Sequence, residues 1–129
     1  MMTTSVDDKP RVLIVDDDVD LLSSLQELLT PLADVSLACD GEQALEVMRR
    51  GPVPDLVITD LTMPNKDGWT LSHEMKQEGE LAKIPVIMLT AQNAPGDVIA
   101  GINAGARQYI TKPFTPDELF GKVKEALRR

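Results

Sequence analysis

The sequence predicts an α/β fold, a (βα)5 arrangement in which one parallel sheet is doubly wound by helices. Three observations carry that expectation. Short apolar runs alternate with helical patterns five times along the chain. Four of those runs end in polar residues that phosphoryl chemistry can use. The 129 residues suffice for one domain with a core and leave no room for a second.

The elements follow in order. Residues 1–9 read as a disordered polar leader and 10–129 as the domain. Val12–Val15 is the first strand and runs into Asp16, Asp17 and Asp18. Val19, Leu21, Leu22, Leu25, Leu28, Leu29 and Leu32 then recur at helical spacing, with Pro31 breaking the pattern. A second strand spans Val35 to Ala38, and Asp40-Gly41 leads into a helix through Ala44, Leu45 and Met48 that stops at Gly51-Pro52. The third run, from Leu56, ends at Asp60, and a turn-rich loop from Leu61 to Gly68 precedes a helix through Trp69, Leu71 and Met75. The fourth, Val86–Leu89, delivers Thr90. It is followed by a weak helix through Val98, Ile99 and Ile102, in which Gly101 and Gly105 lower helix propensity and suggest a mobile element. The fifth, Gln108–Thr111, delivers Lys112-Pro113. Thr115-Pro116-Asp117-Glu118 combines a capping box with proline at the first helical position, and Leu119, Val123, Ala126 and Leu127 give that helix its buried face.

Composition excludes several classes. The hydrophobic fraction of 43% and charged fraction of 26% belong to an ordinary globular chain. A formal net charge of -8 leaves no basic footprint for direct nucleic-acid binding. No apolar stretch approaches the roughly 20 residues that a membrane span needs, so no membrane insertion is expected. The lone Cys39 excludes an internal disulfide and suits a reducing cytoplasm; its apolar surroundings, Val35 to Ala38, suggest a buried thiol.

Parallel strands place their C-terminal ends on one edge, where open α/β sheets bind ligands. Three adjacent carboxylates, Asp16 to Asp18, exceed what a helix cap needs, since one Asp suffices. Their mutual repulsion calls for a divalent cation, and Mg²⁺ needs only two carboxylates and a carbonyl besides its waters. Asp60 alone could be a turn initiator, but in the flavodoxin-like strand order 2-1-3-4-5 the strands ending at Asp17 and Asp60 are neighbours at the switch point. A metal and the Lys112 ammonium would neutralise the charge that otherwise keeps a carboxylate from attacking a phosphoryl group, with the Thr90 hydroxyl on the phosphoryl oxygens. A cis bond before Pro113 would turn Lys112 back over the site. His73 reads as a polar helix residue, Trp69 as packing, and the six methionines as core filler.

Together Val15-Asp16-Asp17-Asp18, Asp60 with Met63-Pro64 and Lys66-Asp67-Gly68, Thr90-Ala91, Gly105-Ala106 and Lys112-Pro113-Phe114 make the chain resemble the receiver domain of bacterial two-component response regulators over about residues 10 to 128. The resemblance implies a phosphoacceptor at Asp60 and a Mg²⁺ held by Asp17, Asp60 and the backbone carbonyl of Thr62, with Asp16 acting through a metal-bound water. It implies that Thr90 and Lys112 bind phosphoryl oxygens and that Tyr109 is an aromatic switch following Thr90. The implied partners are a histidine kinase or phosphotransfer protein and a downstream protein on the surface formed by Tyr109 and the helices beginning near Pro95 and Pro116. Such a domain is a signalling switch rather than a turnover enzyme. A haloacid-dehalogenase-like phosphatase would carry its nucleophile directly after the first strand and need a cap domain. A flavodoxin-type carrier would need a phosphate loop where Asp16–Asp18 stand.

Overall fold

Buried parallel strands read as unbroken apolar runs because both faces are covered, and the central strands here obey that rule. The computed structural model describes residues 9–91 and 108–128. Its strands are β1 (Arg11–Val15), β2 (Asp34–Ala38), β3 (Leu56–Asp60), β4 (Val86–Ala91) and β5 (Gln108–Lys112). All pair in parallel in the order β2-β1-β3-β4-β5, the expected flavodoxin-like arrangement. The helices are α1 (Val19–Leu29), α2 (Gly41–Arg50), α3 (Gly68–Met75) and a C-terminal helix (Pro116–Leu127). The helix expected through Val98, Ile99 and Ile102 and all of the 1–9 leader except Lys9 lie outside the described residues.

Side chains alternate across a strand, so each strand feeds two cores. On one face Leu13, Val15, Val57 and Met88 pack with Ala44, Leu45 and Met48 of α2 and Leu71 and Met75 of α3. On the other, Val12, Ile14, Ile58 and Leu89 pack with Leu22, Leu25 and Leu29 of α1 and Leu119, Val123 and Ala126 of the C-terminal helix. Fully burying one such aliphatic side chain contributes about 1.5–3 kcal/mol.

Each described α-helix starts where a side chain satisfies its free amides, whereas the short 3-10 helix Gly79–Lys83 has no side-chain cap. Asp18, Asp40, Asp67 and Thr115 are the N-caps of α1, α2, α3 and the C-terminal helix, and Thr115 with Glu118 forms the expected capping box.

Four expectations need correction. Cys39 is exposed, because it follows β2, an edge strand whose outer positions Asp34 and Ser36 already face solvent. Trp69 is 39% exposed, for the buried positions of α3 belong to Gly68, Leu71, Ser72 and Met75. Both ends of the first apolar stripe are exposed: Val19 opens α1, and Leu32 lies past its end at Leu29, where the helical register stops. Leu127, in the last turn, is only partly buried. The described methionines Met48, Met63, Met75 and Met88 are all buried.

Candidate functional site

The sheet brings four of the expected residues to one edge. The Asp16 amide donates to the Ala38 carbonyl at 3.1 Å, extending the β1–β2 ladder one residue past the strand. That extension fixes the Asp16 side chain, which is 1% exposed. Its Oδ1 accepts from the Asp18 amide at 2.9 Å, while its Oδ2 is buried without a hydrogen-bond partner. Asp18 caps α1 through the amides of Asp20 and Leu21, at 3.1 and 3.2 Å. The three acidic residues therefore divide their work: Asp18 serves the helix, and Asp16 and Asp17 remain for the pocket.

Carboxylate oxygens of Asp16, Asp17 and Asp60 lie within 4.8 Å of one another, the only such cluster of possible metal ligands among the described residues. Lys112 reaches them from the end of β5. Its Nζ donates to Asp60 Oδ1 at 3.1 Å and lies 3.5 Å from Asp16 Oδ2. The Lys112–Pro113 peptide is cis, as expected.

Burial dominates the electrostatics. Desolvation holds the Asp16 carboxyl above the usual carboxylate range, with the charge of Asp60 adding to it and Lys112 opposing. Asp60 is raised for the same first reason, against the Lys112 hydrogen bond. Burial alone would lower the Lys112 ammonium, but the hydrogen bond and charge of Asp60, with Asp16 behind, outweigh it and push Lys112 upward. Three carboxylates against one ammonium leave the pocket short of positive charge. Oxygen donors, excess negative charge and a buried Asp16 oxygen that has the Lys112 ion pair but no hydrogen bond among the described residues are what a hard divalent cation fits.

Thr90 lies one strand away at the end of β4, 1% exposed, its hydroxyl without a partner among the described residues. Register pairs Thr90 with Thr111 and Met88 with Tyr109, so Thr90 and Tyr109 share one sheet face as diagonal neighbours. Tyr109 is partly buried against that core. Thr62 is exposed in the loop after β3. His73 is exposed on α3, beside Gln77 and away from the acidic cluster.

Sequence reasoning missed what holds the Leu61–Gly68 loop. A Cβ on Gly68 would sit 2.3 Å from the Asp60 carbonyl oxygen, so only glycine allows that close approach. Farther along, Asp40 and Gly41 grip the loop at Asn65 and Lys66. Pro64-Asn65 is a turn signal, but nothing in the sequence points from it to a residue 25 positions earlier.

A family model described as the response regulator receiver domain matches residues 12–124. The transcriptional regulator ycf27 of Porphyridium aerugineum is 39% identical over 122 residues, covering 94% of this chain and 49% of its own. This chain thus spans about half the length of such curated relatives. Among solved structures, a chain described as a response regulator from Chloroflexus aurantiacus superposes with a TM-score of 0.87 at 38% identity, over 94% of this chain and 99% of that one. The receiver domain of sensor histidine kinase PA1611 from Pseudomonas aeruginosa, solved with magnesium in its active-site cleft, gives 0.83 at 28% identity over 92% and 98%. With its parallel sheet, its acidic edge and these matches, the chain belongs to the receiver domains of two-component response regulators.

Proposed function

We propose that Asp60 is the phosphoacceptor and that a histidine kinase or phosphotransfer protein is the donor. One observation carries this reading. Asp60 shares a cluster within 4.8 Å with Asp16 and Asp17 while Lys112 bonds it at 3.1 Å, so three carboxylates and an ammonium meet at one edge of the sheet, which supports an acceptor beside a cation. In the transfer a carboxylate oxygen of Asp60 forms the new bond to phosphorus. The bond from phosphorus to the donor's nitrogen breaks, and its electron pair leaves with the imidazole. Lys112 holds an equatorial phosphoryl oxygen, and the Thr90 hydroxyl, without a hydrogen bond among the described residues, can turn to a second.

Mg²⁺ would be held by Asp17, Asp60 and the Thr62 carbonyl, with Asp16 acting through a bound water. When bound, it supplies the charge neutralisation that lets one anion attack another. The magnesium in the PA1611 receiver supports this choice of ion. Movement of Thr90 towards the phosphoryl group would free space on the sheet face it shares with Tyr109. The downstream partner would read the surface of Tyr109 and the helix from Pro116, together with the segment from Pro95, which lies outside the described residues. The domain is then a switch and not a turnover enzyme. No helix among the described residues is long and apolar enough to cross a membrane. A free, exposed Cys39 fits the reducing cytoplasm that this reading assumes.

Acetyl phosphate with Mg²⁺ should add one base-labile phosphoryl group, and mass spectrometry should find it on Asp60. Undiminished uptake by Asp60→Asn would overturn the assignment.

A further inference from the structure

The segment from Ala38 to Gly41 contributes no carboxylate to the acidic cluster, yet it hydrogen-bonds both to Asp16 and to the loop that follows Asp60. On one side the Ala38 carbonyl accepts from the Asp16 amide at 3.1 Å. On the other, the Gly41 amide donates to the Lys66 carbonyl at 3.0 Å. The Asp40 side chain acts in two directions. Its Oδ1 accepts from the Gln43 amide at 2.8 Å and caps α2, and its Oδ2 accepts from Asn65 Nδ2 at 2.8 Å.

Asn65 is where the loop after Asp60 is strained. Its φ is +67°, and it is the only non-glycine residue with positive φ among those described. The Lys66 amide closes back on the Pro64 carbonyl at 2.7 Å around it. Such a turn persists only when its surroundings over-determine it. The close approach of Gly41 allows that grip, since a Cβ there would lie 2.6 Å from the Lys66 carbonyl oxygen.

We propose that Asp40 is a positioning residue: through Asn65 it fixes the loop between Asp60 and Gly68, and so the placement of the Thr62 carbonyl relative to Asp16 and Asp17. The proposal rests on the metal reading above. Its chemistry is that of an outer partner which never touches the ion but limits how far one of its ligands can drift. A plain alternative is that Asp40 only caps α2.

Two substitutions separate the roles. Asp40→Ser keeps a good cap for α2 but is too short to reach Asn65. Asn65→Gly tolerates the positive φ but has no side-chain amide. Titrating Mg²⁺ alone into metal-free protein by calorimetry should show each variant binding about 10-fold more weakly, the lower end for residues that orient ligands from outside. Thermal unfolding of metal-free Asp40→Ser should stay close to the parent's. The paired exchange Asp40→Asn with Asn65→Asp keeps a donor and an acceptor across the gap and should restore affinity. Parent-like affinity in both single variants would reduce Asp40 to a helix cap and overturn the proposal, as would failure of the exchange to restore binding. Asp17→Asn is the control: if it too binds Mg²⁺ like the parent, the metal reading itself has failed.

Discussion

Replacing Asp60 by asparagine should make the metal-free protein more stable at neutral pH, although it removes an ion pair. The Lys112 ammonium lies 3.1 Å from Asp60 Oδ1, an attraction of roughly 5 kcal/mol at an effective dielectric of about 20. Oxygens of Asp16 and Asp17 lie within 4.8 Å, and a pair at that distance repels by roughly 3.5 kcal/mol on the same basis. Asp17 is exposed and water screens its share, so repulsion and attraction nearly cancel. The cost of burying the carboxylate is what remains, in agreement with burial as the first cause of its raised pKa. Asparagine has the same shape, carries no charge and still accepts from Lys112. An increase of about 1 kcal/mol, or roughly 3–5 °C in Tm, follows for a domain of this size.

The pH dependence supplies a second check on Asp60→Asn. Asp60 and Asp16 are both raised, so the folded state holds their protons more tightly than the unfolded chain does. Their contribution to stability is present below the ordinary aspartate value of 3.8 and is lost as pH rises through the folded values. The advantage of Asp60→Asn should therefore be small in acid and grow towards neutrality. Calorimetric melts in EDTA across that range measure it, and excess Mg²⁺ should shrink or reverse the difference by stabilising only the parent. A metal-free Tm at pH 7 equal to or below the parent's, or a difference that ignores pH, would refute the reasoning.

Gly68→Ala drives a methyl into the Asp60 carbonyl at 2.3 Å and should cost about 1–3 kcal/mol in urea unfolding, because the obstacle is backbone. Thr90→Val removes a buried hydroxyl without a hydrogen-bond partner among the described residues, so stability should hold or rise by up to about 1 kcal/mol. The same variant should mute the NMR changes that beryllofluoride induces at Tyr109. Lys112→Met removes the ammonium beside Asp60 and Asp16 and should tighten Mg²⁺ binding about 5-fold while slowing phosphoryl uptake.

The sheet was legible because its central strands are buried on both faces and so read as uninterrupted apolar runs: Val12 to Val15, Leu56 to Ile58 and Val86 to Leu89. The gathering of the polar side chains was legible for a related reason. Parallel strands end on one edge, so the residue just past each run, Asp16, Asp60, Thr90 or Lys112, needs only the strand order to be brought near the others. Cys39 misled because an apolar neighbourhood says nothing about whether a strand is central or at the edge. Trp69 misled because α3 turns its buried stripe through Leu71 and Met75 and leaves the residue after Gly68 outside. The grip of Asp40 on Asn65 was hidden, since two polar residues beside turn signals look like independent caps until the chain is folded.

The division of β1 between two cores sets where this chain tolerates a change of length. Leu13 and Val15 face one core and Val12 and Ile14 the other, and Asp16 follows in the same alternation. Deleting one residue within β1 would exchange the two sets and turn the next carboxylate into the place of Asp16, so an indel there damages packing and chemistry together. The opposite edge of the sheet carries no such coupling. Its connection at Gly51-Pro52, exposed ahead of the core-packed Val53 and buried Pro54, leads into β3, whose register is already fixed by β1 and β4 on either side. Insertions, affinity tags or a fused reporter placed there should leave the acidic pocket as it is.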